Sequence, residues 1–386
     1  MVFPEIALCD HHAHPFLRSP VLSSDFYRMY YTEGYHEPKN SRFLKSTVFF
    51  ERTLRDLSEL LTCDPDEESV LAARRKINSM ALFERIVAEQ KIECVFVDDG
   101  FSNNDSAPLD EINRVVTAAR VLRIESVLET CIKEARSLSE LWDAITENAN
   151  RLIPHSVALK SIIAYRSGLN IAIPGKKDVE EAFLRIKRDR ISKPRKESKA
   201  LLDAVFLYFC AESAHRGIPF QLHTGYGDHD IDLIESNPCL LRGLFEMPAY
   251  QGVPFILLHT GYPYCRETGY LSAIYPNVYT DLGLAIPYLS ESGMRNVFEQ
   301  LSELGPMNKC LYSSDAHFLP EWFYLSAKWA KSTVQKTLNR MHTEGEISER
   351  FAIETYIGIF NQNAKAVYRL DGQNASSSIK SHSESL

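Results

Sequence analysis

Short apolar runs alternate with longer amphipathic stretches along most of the chain. The runs are rich in β-branched and aromatic residues, and this alternation is typical of parallel strands that are linked by helices. Eight strands are predicted, near Ile6–His12, Glu93–Val97, Val121–Ile124, Val157–Ile163, Pro219–His223, Pro254–His259, Val278–Leu282 and Cys310–Ser314. Eight strand–helix units predict an α/β fold in which the strands close into a (β/α)8, or TIM, barrel.

Apolar residues at three- and four-residue spacing predict helices between these strands. The predicted helices are Leu71–Gln90, Glu111–Ala119, Ser137–Arg151, Leu201–Arg216, Leu240–Tyr250 and Ser292–Leu304, and a helical extension is expected after the last strand. The basic segment 175–199 could suggest a nucleic-acid contact or a localisation signal. A solvated helix face followed by a proline-broken loop is the favoured interpretation, because the chain as a whole is acidic.

Two intervals between predicted strands are too long for simple connections: the insertion at residues 16–68, and the interval from Ser167 to about Ser198. Residues 16–68 are too many for a simple connection and are rich in aromatic side chains. Because this insertion leaves the C-terminal end of the first strand, a helical cap over the catalytic face of the barrel is predicted. Residues 371–386 are polar and serine-rich, which predicts a disordered tail. The domain organisation is therefore one barrel over residues 1–370, followed by a tail.

Composition narrows the choice of partner and compartment. The net charge of −8 disfavours binding to nucleic acid or to anionic membranes, so a small-molecule substrate is expected, and a homo-oligomer is compatible with the sequence. The eight cysteines are dispersed without CxxC pairs, as expected for buried free thiols in a reducing cytosol. Neither an export signal nor an apolar run of roughly 20 residues is found, so a cytoplasmic protein is predicted.

The first predicted strand ends in the sequence Asp10-His11-His12-Ala13-His14. Since residues two apart on a strand point to the same face, His12 and His14 should converge on one point. Two imidazoles at a barrel mouth are typical of a zinc site. Alone this pair would be weak evidence, because two nearby histidines often occur by chance.

Three more strand ends carry polar residues of the same kind: His223, His259 and Asp315. They follow apolar runs at the C-terminal rim, where barrel enzymes keep their catalytic residues. Each histidine taken singly is better explained as a hydrogen-bonded structural residue, but the set indicates a divalent metal site. Arg166 lies six residues after Lys160 of the fourth predicted strand, and this even spacing would place both side chains on the same face. Arg166 could therefore bind a substrate carboxylate at the mouth, although a surface ion pair is an equally good interpretation.

The HxH pair, Lys160, His223, His259 and Asp315 together resemble the pattern of the amidohydrolase superfamily. The stretches ALKSIIAYRSGL, LHTGYGDHDIDL, LLHTGYPYCRETGYL and YTDLGLAIP are similar to one branch of it, the hydrolase half of fungal and plant proteins fused to glutamine synthetase. The resemblance covers roughly residues 5–370. It implies hydrolysis of an amide or related C–N bond by metal-activated water, in a small acidic substrate such as a γ-glutamyl amide.

The resemblance also implies two versions of the metal site, with one or two ions of Zn²⁺ or, as an alternative, Mn²⁺. In the two-metal version a carboxylated Lys160 bridges the ions. In the one-metal version Lys160 is not a ligand, and His259 acts as an acid/base or polarising residue. Both versions use Asp315 to receive the proton of the attacking water and share the same ligands: His12, His14, His223 and Asp315. Lys160 could instead be structural and paired with a carboxylate such as Glu125 or Asp281.

Substrate contacts are expected just after the histidines of strands five and six. The candidates besides Arg166 are Tyr226, Tyr262, Tyr264 and Arg266, although packing or helix capping would also explain them. A metal-dependent decarboxylase or other C–C lyase on the same barrel remains an alternative. A barrel that serves only as a binding or regulatory module is a second alternative, and a doubly wound open sheet that binds metal incidentally is a third.

Overall fold

The computed structural model describes residues 1–19, 43, 45–283 and 288–370. Eight parallel strands form one sheet in the order of the sequence, which confirms the predicted barrel and excludes a doubly wound sheet. The strands are β1 (Leu8–Ala13), β2 (Ile92–Asp98), β3 (Thr117–Arg123), β4 (Ser156–Ser161), β5 (Phe220–Leu222), β6 (Phe255–Leu257), β7 (Val278–Asp281) and β8 (Cys310–Leu311).

The segment that follows β8 closes the barrel against β1. The amide of Asp315 donates to the carbonyl of His12 (3.0 Å), and the amide of His14 donates to the carbonyl of Ala316 (2.6 Å). The bonds that complete the barrel therefore also bring Asp315 beside the two histidines of the HxH pair.

Helices surround the sheet and follow the strands in chain order. They are α1 (Val48–Leu61), α2 (Glu67–Arg74), α3 (Ser79–Gln90), α4 (Leu109–Asn113), α5 (Ile124–Glu134), α6 (Leu138–Leu152), α7 (Lys176–Asp189), α8 (Lys199–Arg216), α9 (Arg242–Phe245), α10 (Cys265–Ile274), α11 (Glu291–Ser302), α12 (Glu321–Thr343), α13 (Glu349–Ile357) and α14 (Asn363–Tyr368). None of these helices is long and apolar enough to cross a membrane, as judged over the described ranges. The predicted helical extension after the last strand is confirmed by α12, α13 and α14.

Three helix predictions need correction. The predicted helix Leu71–Gln90 is two helices, because the side chain of Asn78 accepts bonds from two backbone amides and begins α3 as a new helix. The predicted helix Glu111–Ala119 ends early, since β3 already begins at Thr117. The predicted helix Leu240–Tyr250 is reduced to α9 between single 3-10 turns.

The described part of the predicted cap contributes α1 and the start of α2. The ring of Phe49 in α1 stacks on Trp322 in α12 with 5.8 Å between centroids, and the Trp329 indole donates to Asp56 of α1 (2.6 Å). Residues 20–42 and 44 of the predicted cap, and the predicted tail 371–386, lie outside the described residues.

Helix α14 lies across the N-terminal end of the barrel. Its Tyr368 ring packs on Phe96 of β2 (4.7 Å between centroids), and its hydroxyl lies 3.1 Å from Nδ1 of His11 and accepts from Gln221 (2.7 Å). The side-chain amide of Asn363 donates to the carbonyl of Cys310, where β8 begins (2.7 Å). This end of the barrel is therefore closed by the chain itself.

The inner face of the sheet changes from apolar to charged along the strands. An apolar cluster joins inward-facing residues of different strands: Cys9, Cys94, Phe96, Val121, Ala158, Ile256, Leu258 and Leu311. Residues two positions further along a strand share its face. On β2, β3 and β4 those positions hold Asp98, Arg123 and Lys160, so charged groups face the interior at the C-terminal end.

Candidate metal centre

His12, His14 and Asp315 meet at the C-terminal mouth of the barrel. Oδ1 of Asp315 lies 3.2 Å from Nε2 of His12 and 3.4 Å from Nε2 of His14. The two imidazoles stand almost perpendicular, with 5.0 Å between ring centroids. The sequence predicted this convergence from regular strand alternation, but the pairing of β1 with β2 is irregular between Asp10 and Ala13. The closing bonds with the segment after β8 therefore contribute to it.

A hydrogen bond fixes the orientation of His14. Its Nδ1 donates to the backbone carbonyl of Asp98 (3.1 Å), because a carbonyl can only accept. In the neutral ring, Nε2 then carries a lone pair that faces the Asp315 carboxylate. Nε2 of His14 and Oδ1 of Asp315 are 3.4 Å apart, a spacing at which a neutral ring offers its lone pair to a shared cation and a protonated ring donates to the carboxylate.

His223 and His259 form the second half of the centre. Nε2 of His223 donates to the carbonyl of Tyr226 (3.1 Å), so its Nδ1 must accept the bond from Nε2 of His259 (3.0 Å). The ring of His259 also lies near His12, with 6.3 Å between centroids. The four predicted histidines thus form one cluster around the carboxylate.

The protonation states of the cluster suit a metal cation. Burial lowers the pKa of His12 to about 3 and that of His259 to about 4, and it holds the pKa of His223 well below its ordinary value. Burial would raise the pKa of Asp315, but the neighbouring His259 and His12 lower it well below its ordinary value. Neutral imidazoles and an ionised carboxylate are the forms that ligate divalent metals.

Buried nitrogen atoms without partners support the same conclusion. Nδ1 of His12 and Nδ1 of His259 are enclosed by protein and form no hydrogen bond, and Nε2 of His12 has only the Asp315 carboxylate beside it, at 3.2 Å. Leaving a buried polar atom unsatisfied costs about 1–3 kcal/mol, so such atoms call for a ligand. The residues present therefore fit a divalent cation. His12, His14 and Asp98 form a further group whose ligand atoms lie within 4.8 Å of one another.

Lys160 lies on the inner face of β4 and is buried. Burial lowers the pKa of its ammonium to about 8, although the charges of Asp315 and Asp98 oppose this shift. Its expected structural partners are engaged elsewhere: Glu125 accepts a bond from Ser161 (2.6 Å), and Asp281 accepts one from Ser313 (2.5 Å). Lys160 forms no ion pair with the carboxylates that the structure describes. The structural pairing considered for Lys160 is thus not observed.

Asp281, at the end of β7, holds the backbone of the centre in place. Its Oδ1 accepts from the amide of His259 (2.8 Å), and its Oδ2 accepts from Nε2 of His11 (3.1 Å). His259 and Asp315 both have positive φ, 66° and 48°, a region that non-glycine residues rarely adopt. Such strain persists where the surroundings fix it and is concentrated at functional sites.

Sequence reasoning missed Asp98 and Arg123. Nε and Nη2 of Arg123 donate to Oδ2 of Asp98 at 2.9 and 2.6 Å. Burial would raise the pKa of Asp98, but the charge of Arg123 lowers it to about 2. A signal was present for Asp98, because an acidic residue follows the apolar run of β2 as Asp315 follows that of β8. Arg123 lay at the boundary between a strand and an unrecognised helix, α5, and gave no signal.

The two predicted substrate-binding arginines do not reach the cluster. β4 ends at Ser161 and a 3-10 turn, Ile163–Tyr165, follows, so the strand alternation stops before Arg166, which pairs with Glu129 (2.7 Å). Arg266 is exposed and pairs with Glu303 on the outer surface (2.9 Å).

The three predicted tyrosines occupy the loops after β5 and β6. The carbonyl of Tyr226 holds His223, and its ring meets that of Tyr262 edge-on at 5.2 Å. The hydroxyl of Tyr264 donates to the carbonyl of Leu233 (3.0 Å), away from the histidines. Tyr165, which sequence reasoning missed, packs its ring on His223 with 4.5 Å between centroids.

Comparisons with known proteins identify the family of the chain. A family model described as amidohydrolase matches residues 176–370. The protein fluG of Emericella nidulans is 30% identical over 369 residues, an alignment that covers 87% of this chain and 42% of fluG, so the chain spans less than half the length of that relative.

Solved structures show the same architecture. A protein from Lactobacillus casei, assigned as a metal-dependent hydrolase, superposes with a TM-score of 0.84 at 27% identity, covering 94% of this chain and 95% of that one. A uronate isomerase from Thermotoga maritima shares the fold at a TM-score of 0.66 and 12% identity, with the same coverage of 94% and 95%. The family model spans half of the chain and includes three of the clustered residues, His223, His259 and Asp315. The chain belongs to the amidohydrolase family.

Proposed function

We propose that the protein is a metal-dependent hydrolase that cleaves an amide or related C–N bond of a small acidic substrate. The observation that carries this proposal is the approach of Nε2 of His12 and Nε2 of His14 to the Asp315 carboxylate, at 3.2 and 3.4 Å, in a cluster where burial keeps His12, His223 and His259 neutral. This arrangement would suit a divalent cation, and it lies at the end of the barrel where barrel enzymes act.

In this proposal His12, His14, His223 and Asp315 hold the cation. Imidazole and carboxylate donors favour Zn²⁺, although Mn²⁺ is compatible with the set. When bound, such an ion lowers the pKa of water to about 7 and polarises the carbonyl under attack. Carboxylation of Lys160, whose ammonium lacks an ion pair among the described residues, would create the bridging ligand of a two-ion site.

Asp315 is the proposed general base. Its depressed pKa keeps it ionised at neutral pH, so it can accept a proton from water and pass it to the leaving amine. It contacts both histidines of the HxH pair, which places the proton acceptor at the site itself.

His259 is the proposed electrophilic residue of the one-ion version. Its Nε2–H now donates to Nδ1 of His223. If Nδ1 of His223 were to bind a cation instead, the Nε2–H of His259 would lose its acceptor. It would then be available to donate to the substrate carbonyl oxygen. The bond from its own amide to Asp281 keeps the residue in place meanwhile.

Metal analysis together with an amide-hydrolysis assay tests this proposal. Protein purified without chelators should contain tightly held zinc or manganese and should release amine from members of a panel of γ-glutamyl amides. Stripping the metal should abolish release, and adding it back should restore release. About two ions per chain with bicarbonate dependence would support a carboxylated Lys160.

Two results would contradict the proposal. Metal-replete protein that releases no amine from any amide, but releases carbon dioxide from small acids, would favour the decarboxylase. Unchanged metal content and unchanged cellular activity in Asp315→Asn and His12→Ala would favour a non-catalytic barrel.

A further inference from the structure

Arg123 presents a partly unsatisfied guanidinium at the mouth of the barrel. It is the last residue of β3 and faces the interior, on the same side of the strand as Val121. Its Nε and Nη2 are bonded to Asp98, whereas Nη1 has no partner among the described residues and is not enclosed by protein. The side chain is 10% exposed, so one edge of a fixed cation remains accessible.

The stem of Arg123 is held by its neighbours. A Cβ on Gly100 would lie 2.7 Å from Cβ and 2.9 Å from Cδ of Arg123, so only glycine lets this loop pack against it. The ring of Phe101 lies 5.7 Å from the guanidinium carbon. A cation that is already positioned loses less entropy when it binds a ligand.

A second cation lies beside Arg123. Arg123 and Lys160 are register partners on the adjacent strands β3 and β4, and both face the interior. Asp98 is ion-paired with Arg123, whereas Lys160 has no ion pair among the described residues. In the one-ion version of the site Lys160 keeps its ammonium, so its positive charge adds to that of Arg123 and attracts an anion to this part of the mouth.

We propose that Arg123 binds a carboxylate of the substrate and restricts the enzyme to acidic amides. This inference rests on the proposed function and assigns the residue that recognises the acid group. Asp98 links Arg123 to the proposed metal centre. Its Oδ2 lies 2.6 Å from Nη2 of Arg123 and 3.9 Å from Nδ1 of His14. The acid group must therefore lie within a few bonds of the scissile amide, as in glutaryl and γ-glutamyl compounds.

Arg120 provides a matched control. It lies three residues earlier on the same strand, so it faces the opposite side, and it pairs with Asp99, the neighbour of Asp98, at 2.8 Å. Arg120→Gln therefore removes a similar ion pair without touching the mouth.

The test compares glutaryl p-nitroanilide with butyryl p-nitroanilide, which lacks the carboxylate. We expect Arg123→Lys to raise KM for the glutaryl compound roughly tenfold or more and to lower kcat/KM for the butyryl compound several-fold less than for the glutaryl compound, with metal still bound. Arg120→Gln should change neither substrate. An equal loss on both substrates, or loss of metal, would overturn the proposal and leave Arg123 as a support for Asp98 and His14.

A binding measurement separates this inference from the proposed function. Glutarate and butyrate are titrated calorimetrically into the protein as purified, because both can offer one carboxylate to the centre and only glutarate has a second. Arg123→Lys and Arg123→Gln should each reduce the preference for glutarate roughly tenfold, even if neither anilide is hydrolysed. An unchanged preference in both folded variants would overturn the assignment of Arg123, whatever the reaction is.

Discussion

The two ends of the barrel differ in how their buried polar side chains are hydrogen-bonded and in the strain of the backbone that carries them. At the N-terminal end, the Tyr368 hydroxyl and the Asn363 amide find partners on the strands that they cover, although Oε1 of Gln221 is buried there without a partner. At the C-terminal end, His12 and His259 keep buried nitrogens without partners, and His259 adopts a strained backbone conformation. The difference indicates that the first end stabilises the fold, whereas the second gives up stability to hold a ligand.

The strongest test of this difference removes the carboxylate at the mouth. Asp315→Asn should lower amide hydrolysis about 1,000-fold or more, because it removes the proposed proton acceptor and a proposed ligand. Metal content should fall as well, while the melting temperature of metal-free protein should change little. Metal analysis, an amine-release assay and thermal melts provide the readouts. A large drop in the melting temperature of the metal-free variant would show that this residue stabilises the fold after all.

The opposite result is expected at the N-terminal end. Tyr368→Ala removes a buried ring and should destabilise the protein by about 3–5 kcal/mol, with metal content per folded chain unchanged. Tyr368→Phe keeps the ring and should cost only about 1–3 kcal/mol, from the hydrogen bonds of the hydroxyl. Urea denaturation measures both variants. Tyr368→Ala protein of normal stability would remove the contrast between the two ends.

An intermediate effect is expected at Asp281, a positioning residue that touches the centre only through its neighbours. Asp281→Asn should weaken metal affinity or lower activity about 10- to 100-fold, because one carboxylate holds both His259 and His11. Competition with a chelator and steady-state kinetics would measure this change. An effect as large as that of Asp315→Asn would mean that Asp281 itself takes part in the chemistry.

The smallest effect is expected at Asp228, in the loop after β5. Burial, and then the charge of Asp230, raises its pKa to about 6. The folded protein therefore binds the proton of the Asp228 carboxyl more tightly than the unfolded chain does. Asp228 stabilises the fold at low pH, and this contribution to the free energy of unfolding is lost as the pH rises from about 4 through 6. Asp228→Asn should therefore stabilise the protein by about 1 kcal/mol at pH 7, after allowance for partial exposure. Unfolding measured at pH 5 and pH 8 should show the larger gain at pH 8, and a loss at pH 8 would contradict the shift.

The fold could be predicted because periodicity is a local property of the sequence. All eight predicted strands overlap observed ones, although β5 and β6 are only three residues long. The boundaries of helices were harder to predict from the sequence. Helix α5 begins directly after β3 without a loop, so its first residue, Ile124, was assigned to the strand.

The candidate centre was predictable only where a strand end marked it. His12, His223, His259 and Asp315 each follow an apolar run, and the structure brings them together. The role of Arg123 depends on its pairing with Asp98 across two strands, which no local pattern reveals. The position of Arg166 was not predictable for a different reason: the alternation of side chains along β4 was extended into a 3-10 turn, and the structure pairs Arg166 with Glu129.

The contact between His11 and Tyr368 also bears on how the protein is made. These residues are separated by 357 positions, yet their side chains meet beneath the candidate metal centre. During synthesis, the inner face of β1 therefore stays uncovered until nearly the whole described chain has been made. Contacts of such long range slow folding and prolong the exposure of unpaired strands. Ribosome-bound chains that stop before α14 are accordingly expected to depend most on chaperones.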